Sequence, residues 1–191
     1  ENFSKSIRRR AAIIGGHNMN DYPLKMHVFN RARLIKNSKN RIPYGVDLIQ
    51  KYKRESWIVF TENKKQAKEF NKIINTKGFK SALYNTDLDS AERLENLNKF
   101  KKADLNVLVT CTALDEGFDM PEADGALILS ASSSKRQRVQ RMGRVLRITE
   151  NKPNALIVTV YSSKTEFDKL MEEAKRYHKE GVPVSWKRQD R

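Results

Sequence analysis

The chain of 191 residues has few of the features that mark secreted, membrane or metal-binding proteins. Cys111 is its one cysteine, so no disulfide can form within the chain, which fits a reducing compartment. No apolar run approaches the roughly 20 residues that a bilayer-spanning helix needs, and no signal-peptide pattern opens the chain. His17, His27 and His178 are far apart, without metal-ligand spacing. We therefore expect a cytoplasmic protein with no membrane partner and no metal site of its own.

The sequence also lacks the G-x-x-x-x-G-K-[ST] loop that cradles the phosphates of a bound nucleotide. We therefore do not expect this chain to hydrolyse a nucleoside triphosphate by itself. Because it begins at Glu1 without a methionine, we expect it to be a piece of a longer protein.

What the sequence does have is positive charge, with a formal net charge of +15. Residues 1–61 hold 13 Lys/Arg against 4 Asp/Glu, residues 62–130 hold 10 against 12, and residues 131–191 hold 15 against 7. The two ends are therefore basic and the middle is not. Such an excess indicates a polyanionic partner. A solvated lysine-rich surface is the alternative, so charge alone favours nucleic acid only slightly.

Short apolar runs alternate with helical patterns from about residue 45 onward, and each run has the length of a strand buried on both faces. The runs are residues 57–60, 81–84, 107–109, 126–129 and 155–160. This alternation predicts an α/β domain with a parallel sheet and helices on both sides. We assign residues 1–44 to a basic helical lead-in or linker with a helix at 27–37, residues 45–180 to the α/β domain, and residues 181–191 to a tail.

Four helices are predicted between and after these strands. The first is capped by Asn63, the second by Ser90, the third follows residues 132–134, and the fourth follows Ser163. The spacing of apolar positions predicts which side chains face the core. They are Ala67, Phe70, Ile73 and Ile74 in the first helix, and Leu94, Leu97 and Phe100 in the second.

The segment of residues 132–147 is the most informative part of the chain. Residues 135–147 contain six basic residues and no acidic one. On a helix, Val139, Met142 and Leu146 share one face, and the opposite face carries Arg136, Gln140, Arg144 and Arg147. Guanidinium groups one turn apart can grip a cluster of anionic oxygens. The alternative is a solvated basic face, but like charges this close repel one another, which indicates a bound anion.

A second polar segment, residues 111–121, directly follows the apolar run at 107–109. Parallel sheets bind their ligands in the loops at the carboxyl ends of the strands. Gly117 would let a ligand approach the backbone closely, and Asp119 would accept a hydrogen bond from a sugar hydroxyl. Spacing alone favours plainer interpretations, in which Gly117 ends a short helical turn and Asp119 binds nearby backbone.

Three segments in this order resemble a known family. Residues 140–147, Gln-Arg-Met-Gly-Arg-Val-Leu-Arg, resemble the sixth motif of superfamily-two helicases of the DEAD/DEAH type. Residues 114–121 resemble the fifth motif of that family and residues 57–61 the fourth. Order and spacing agree across the three motifs, and the resemblance covers about residues 45–165. The closest similarity is to DNA translocases of restriction, repair and phage systems.

The resemblance implies a RecA-like domain of three layers, the C-terminal one of a helicase or translocase. Arg144 and Arg147 would be arginine fingers that reach the γ-phosphate of ATP bound to a preceding RecA-like domain, and Gln140 would help to sense that phosphate. Gly117 and Asp119 would contact the nucleotide, with Asp119 on the ribose. Mg²⁺ would be held mainly by the preceding domain.

The resemblance also implies contacts with nucleic acid, with DNA favoured over RNA. Thr61, Thr110 and Thr112 would lie near the nucleic-acid backbone, and Arg136 would add a contact from the basic face. Cys111 departs from the family, because it stands where many relatives have a threonine that touches a backbone phosphate. This puts that contact in doubt, and Thr110 or Thr112 would have to supply it.

Two alternatives remain open beside the helicase or translocase. The chain could be a nucleic-acid-binding module without catalysis, whose arginines simply hold phosphates. It could instead be a degenerate domain that serves assembly. The helicase or translocase interpretation predicts a phosphate-binding loop upstream of Glu1, and the binding-module interpretation predicts none. The degenerate domain predicts that activity survives the loss of Arg144 and Arg147.

Overall fold

The structure of the chain is a computed structural model that describes residues 22–111, 123–130 and 155–187. The chain divides into two compact units, residues 1–38 and 39–191. The first unit contains helix α1 (Tyr22–Lys36), which agrees with the helix predicted over residues 27–37. In the described part of the chain, helices are too short or too polar to cross a membrane.

The second unit is built around a parallel sheet, which has five strands among the described residues. They are β1 (Trp57–Thr61), β2 (Ser81–Tyr84), β3 (Val107–Cys111), β4 (Gly125–Ile128) and β5 (Leu156–Thr159). Their order is β2-β3-β1-β4-β5, and β1 pairs in parallel with β3 on one side and β4 on the other. The prediction of a parallel α/β sheet is confirmed, and each predicted apolar run forms a strand.

Among its described residues, this unit has four helices: α2 (Arg41–Tyr52), α3 (Lys64–Thr76), α4 (Ser90–Lys101) and α5 (Lys164–Lys179). The predicted caps at Asn63 and Ser163 are confirmed, because their side-chain oxygens accept from backbone N–H groups three residues on. The cap predicted at Ser90 is wrong by one residue. Asp89 caps α4 instead, and its Oδ1 accepts from the Glu92 N–H at 2.7 Å.

The core lies on both faces of the sheet. On one face, α2 and α3 pack Val46, Ile49, Phe70 and Ile74 against side chains of β1, β3 and β4. On the other face, α4 contributes Leu97 and Phe100. The connection from β1 to β2 and that from β2 to β3 run in opposite directions along the sheet. Because such crossovers are right-handed, their helices α3 and α4 lie on opposite faces.

The domain begins earlier than the predicted residue 45. The compact unit starts at Lys39, and α2 buries Arg41, Ile42 and Val46. Gly45 explains the close fit of this helix to the sheet, since a Cβ there would lie 2.5 Å from Leu129 Cδ2. A stretch expected to be a lead-in is therefore part of the core.

Leu94 is not inward as predicted, because 58% of its surface is exposed, whereas Leu97 is 7% exposed and Phe100 is 4% exposed. The helix has a narrow contact with the sheet, and Leu94 lies beyond it. In contrast, Ala67, Phe70 and Ile74 of α3 are buried as predicted, and Ile73 packs partly buried against the same cluster.

This difference predicts unequal effects of two matched truncations in one helix. Leu97→Ala should lower the free energy of unfolding by about 2 kcal/mol or more, because it removes buried methyl groups and leaves a cavity. Leu94→Ala should change it by less than about 0.5 kcal/mol. Urea denaturation of both variants measures the two values, and equal losses would contradict the burial described for α4.

The residues after α5 fold back onto the domain and are not a free tail. The chain turns at Gly181, whose φ of +78° favours glycine. The ring centroid of Trp186 then lies 5.1 Å from that of Phe167 and 6.4 Å from that of Tyr161. Lys187 Nζ lies 5.6 Å from the centroid of the Tyr52 ring. These contacts place residues 186 and 187 on the surface formed by α2, α5 and the end of β5.

Candidate functional site

The carboxyl edge of the sheet is the place where both candidate segments begin. Residues 112–122 follow the last residue of β3, and residues 131–154 follow Ser130, just beyond β4. Strands β3 and β4 lie on opposite sides of β1, so the chain crosses from one side of β1 to the other between them. Such a reversal of strand order is where open α/β sheets form their ligand-binding crevice.

Thr61 and Thr110, both predicted to lie near a nucleic-acid backbone, come together at this edge. Thr61 is the last residue of β1 and Thr110 the last but one of the neighbouring strand β3, and both are buried, at 5% and 2% exposure. The Thr61 hydroxyl lies 3.1 Å from the carbonyl oxygen of Thr110 and 3.2 Å from that of Asn63, so it ties β1 to β3. Thr110 Oγ1 is buried without a hydrogen-bond partner among the described residues. Their contact with nucleic acid stays a prediction.

Cys111 occupies the last position of β3, and its side chain lies in the core cluster formed by α2, α3 and the sheet. It is 6% exposed. A small apolar side chain suits this position because it faces the packed helices. The departure from the threonine of many relatives is therefore compatible with the packing at this edge.

Arg41, the first residue of α2, binds the sheet where the strands β4 and β5 end. It is 1% exposed. Its Nη1 donates to the carbonyl oxygens of Leu129 at 2.6 Å and Val160 at 2.8 Å. The last ladder bonds at this place run from Leu129 N to Phe60 O and from Val160 N to Ile128 O. The guanidinium therefore extends the hydrogen bonding of the sheet by one step beyond the backbone ladder.

The other side of the same guanidinium binds the start of α5. Arg41 Nη2 donates to Ser162 Oγ at 2.7 Å and to Glu166 Oε2 at 2.5 Å. That carboxylate oxygen also accepts from the Ser162 N–H at 2.9 Å. The charge of the buried cation is thus compensated, as burial of an ionised group requires.

Sequence reasoning missed Arg41 because it lay in the predicted basic lead-in. A signal was present, since Arg41, Gly45 and Ile49 follow one another at intervals of four residues and so share one helix face. An arginine on the buried face of an amphipathic helix needs acceptors inside the fold. The pattern did not identify those acceptors, which lie 88 to 125 residues away.

The charge near the end of β2 is locally balanced. Asp87 pairs with Lys64, and its Oδ2 lies 3.1 Å from Lys68 Nζ. Hydrogen bonds from Lys64 and then Lys68 hold the pKa of Asp87 below its ordinary value. These two lysines of α3 are therefore less available to an external polyanion than their number alone indicates.

Most residues of the predicted site lie outside the described part of the chain. They are Thr112, Gly117, Asp119, Arg136, Gln140, Arg144 and Arg147. The third predicted helix, after residues 132–134, lies there too. Their roles stay predictions. Within residues 22–111, 123–130 and 155–187, no three His, Cys, Asp or Glu side chains come together in a group that could hold a metal ion.

Comparison of the sequence with known families finds a match over residues 40–149 to the helicase conserved C-terminal domain. The chain is 36% identical over 129 residues to the DNA 3'-5' translocase XPB2 of Sulfurisphaera tokodaii, covering 68% of this chain and 28% of that protein. It is 26% identical over 118 residues to the ATP-dependent rRNA helicase RRP3 of Scheffersomyces stipitis, covering 62% of this chain and 24% of that protein. The chain therefore spans about a quarter of the length of each of these relatives.

Solved structures share the fold. The C-terminal domain of the DEAD-box protein Dbp5 aligns with a TM-score of 0.65 at 21% identity and covers 75% of this chain and 82% of that chain. The RNA helicase Prp28 of Chaetomium thermophilum aligns with a TM-score of 0.62 at 17% identity, covering 75% of this chain and 35% of that chain. The sheet and its flanking helices thus have the RecA-like architecture of helicase C-terminal domains.

Proposed function

The chain belongs to the helicase conserved C-terminal domain family, and from this premise we propose that it is the second RecA-like domain of an ATP-driven DNA translocase or helicase. In this proposal a preceding RecA-like domain of the same protein holds ATP and most of the contacts to Mg²⁺. This domain supplies Arg144 and Arg147 to the γ-phosphate, with Gln140 beside them. Closure of the two domains on ATP and their release after hydrolysis would move a bound strand.

The observation that carries the proposal is that the two candidate segments leave the sheet at the same edge. One segment begins after β3 and bears Gly117 and Asp119, and the other begins after β4 and bears the arginines. Both strands flank β1, so the two segments, which begin 19 positions apart at residues 112 and 131, leave the sheet at one crevice. A nucleotide at this crevice would have polar groups for its ribose on one side and cations for its phosphates on the other.

The residue types that follow this edge fit an ATP site that is shared with another domain. Neither the sequence nor the described edge provides a phosphate-binding loop, so the triphosphate would be cradled by the other domain. An arginine presented across a domain gap adds positive charge when the γ-phosphate is transferred to water. The relatives that carry this domain include an ATP-dependent rRNA helicase and a DNA translocase. We favour DNA because the translocase is the more similar of these two.

The proposal is tested by comparing ATP hydrolysis by this chain with hydrolysis by the complete protein. The isolated chain should show no hydrolysis, with or without single-stranded DNA. The complete protein should hydrolyse ATP, and single-stranded DNA should raise the rate. If the complete protein binds DNA but does not hydrolyse ATP, the chain is a non-catalytic nucleic-acid-binding module and the proposal is wrong.

A second prediction concerns nucleic-acid binding by the isolated chain. The net charge of +15 and its concentration in the two ends favour contacts with the phosphate backbone. The chain should bind an oligonucleotide of mixed sequence weakly, and the logarithm of its affinity should fall linearly as the logarithm of the salt concentration rises. Fluorescence anisotropy between about 50 and 200 mM salt measures the slope. An affinity that is independent of salt would contradict backbone contacts.

A further inference from the structure

We infer that Asp87 is an internal competitor of nucleic acid, because its carboxylate occupies a pair of lysines on α3, Lys64 and Lys68, that fits a backbone phosphate. The inference rests on the proposed function, in which the domain must hold a strand and release it again. It adds a place where the strand is held and a residue that limits how tightly it is held there.

The two lysines converge on one carboxylate. Lys64 pairs with Oδ1 of Asp87, and Nζ of Lys68 lies 3.1 Å from its Oδ2. The lysines are four positions apart and so lie on one face of the helix, where like charges repel each other. A phosphodiester has two non-bridging oxygens that share one negative charge, as the two oxygens of a carboxylate do. The carboxylate of Asp87 therefore occupies the position that a backbone phosphate would take.

The lysine pair lies at the carboxyl edge of the sheet. Helix α3 begins three residues after Thr61, the last residue of β1, and Asp87 lies three residues after Tyr84, the last residue of β2. Thr61 and Thr110, the predicted contacts to a nucleic-acid backbone, lie at the same edge. The two ammonium groups would add the positive charge that these hydroxyl groups lack.

Solvent reaches all three side chains of this cluster. The side chains of Lys64, Lys68 and Asp87 are 47%, 60% and 32% exposed. Exposed ion pairs contribute little to stability, because water screens both charges. A phosphate from outside can therefore displace the carboxylate without disrupting the fold.

A displaced Asp87 would stay beside the lysines. Its backbone N–H donates to Oδ1 of Asn85 at 3.0 Å, and Asn85 is 4% exposed. Hydrogen bonds from Lys64 and then Lys68 hold the pKa of the Asp87 carboxyl below its ordinary value, so the carboxylate stays ionised at neutral pH. The backbone thus keeps a negative charge next to any bound phosphate. Such a competitor lowers the affinity for a strand and favours its release.

The inference is tested by fluorescence anisotropy of the 191-residue chain with a labelled single-stranded DNA oligonucleotide of mixed sequence. Asp87→Asn keeps the size of the side chain and removes its charge. It should tighten binding roughly fivefold at low salt, because a unit charge about 4 Å from a phosphate changes affinity by that order. The salt dependence should steepen by about 1.4, since each lysine that gains a phosphate of a single strand adds about 0.7 to the slope. Asp87→Ser, which also lacks the charge, should give the same gain.

The matched control is Glu95→Gln, which removes a charge of the same sign from an exposed pair with Lys99 on α4, on the opposite face of the sheet. It should change the affinity less than about twofold, because salt screens charges that are remote from the bound strand. Asp87→Asn is then repeated in a chain with both Lys64→Gln and Lys68→Gln. Its effect should fall below about twofold there, since the carboxylate has no cations left to occupy. Thermal unfolding checks that each variant is folded at the assay temperature.

The source of the phosphate is tested with a second probe. ATP is titrated into the chain and into Asp87→Asn by calorimetry, and the substitution should leave the affinity for ATP unchanged. A gain for ATP without a gain for the oligonucleotide would assign the lysine pair to the nucleotide and overturn the inference.

The remaining outcomes separate the inference from the proposed function. An unchanged oligonucleotide affinity in Asp87→Asn, or an equal gain in Glu95→Gln, overturns the inference and leaves the proposed function standing. A gain that persists without the two lysines shows that Asp87 acts by general repulsion, which overturns the inference too. If neither the chain nor any variant binds the oligonucleotide at low salt, the strand contacts of the proposed function are refuted, and the inference fails with them.

Discussion

Replacing Arg147 by alanine in the complete protein should lower DNA-stimulated ATP turnover by about 10³- to 10⁵-fold, the contribution of an arginine finger in comparable phosphoryl transfers. The reason is electrostatic: the guanidinium would stabilise the charge that develops on the γ-phosphate, and methyl cannot. Arg144→Ala should have an effect in the same direction. The affinity for DNA should change little, because one of 38 Lys/Arg side chains of the chain is removed.

Steady-state ATPase assays and anisotropy titrations on the same preparations measure the two quantities. Arg54→Ala is the control, since it removes an equal charge from an exposed site away from the carboxyl edge of the sheet. Near-normal turnover in Arg147→Ala would refute the finger role and favour the degenerate domain. An equal loss of turnover and DNA affinity would instead indicate that Arg147 binds the nucleic acid.

Arg41→Met should lower the free energy of unfolding by about 3–5 kcal/mol, which is the usual effect of removing one partner of a buried ion pair. The methionine fills much of the space but leaves Glu166 charged at 7% exposure, and it strands the carbonyl oxygens of Leu129 and Val160. Chemical denaturation of the isolated chain measures the loss. Arg54→Met, on the surface, should change stability by less than about 0.5 kcal/mol.

A double variant tells which part of this loss is due to charge. Adding Glu166→Gln to Arg41→Met removes the stranded carboxylate charge while an amide oxygen can still accept from the Ser162 N–H. The double variant should therefore be more stable than Arg41→Met alone. If it is less stable, the loss in Arg41→Met comes from the carbonyl oxygens and the packing, and the explanation by charge is wrong.

The sheet could be predicted from the sequence because buried parallel strands are continuous apolar runs, and each run at residues 57–60, 81–84 and 107–109 stands between polar helices. The start of a helix can be predicted where the sequence offers one good N-capping residue, as it does at Asn63. At α4 two neighbouring residues, Asp89 and Ser90, are both good caps, and sequence alone does not choose between them.

The site could be predicted only in part, for a physical reason. Local spacing identifies residues that share one helix face, which is why Arg136, Gln140, Arg144 and Arg147 were grouped. Contacts such as those from Arg41 to Leu129 and Glu166 join distant positions and leave no local period. The hydrogen bonds from the Thr61 hydroxyl to the carbonyl oxygens of Asn63 and Thr110 could not be predicted for the same reason. Such contacts depend on strand order, which the apolar pattern does not encode.

The burial of Cys111 makes it a natural reporter of opening at this edge. It is the one thiol of the chain, and it is shielded in the core at the end of β3. A thiol-reactive dye can reach it only when the edge of the sheet opens locally, so the labelling rate under native conditions measures the free energy of that opening. In the proposed two-domain enzyme, slower labelling of Cys111 itself on addition of nucleotide, followed by mass mapping of peptides, is the expected result of a domain closure that rigidifies this edge.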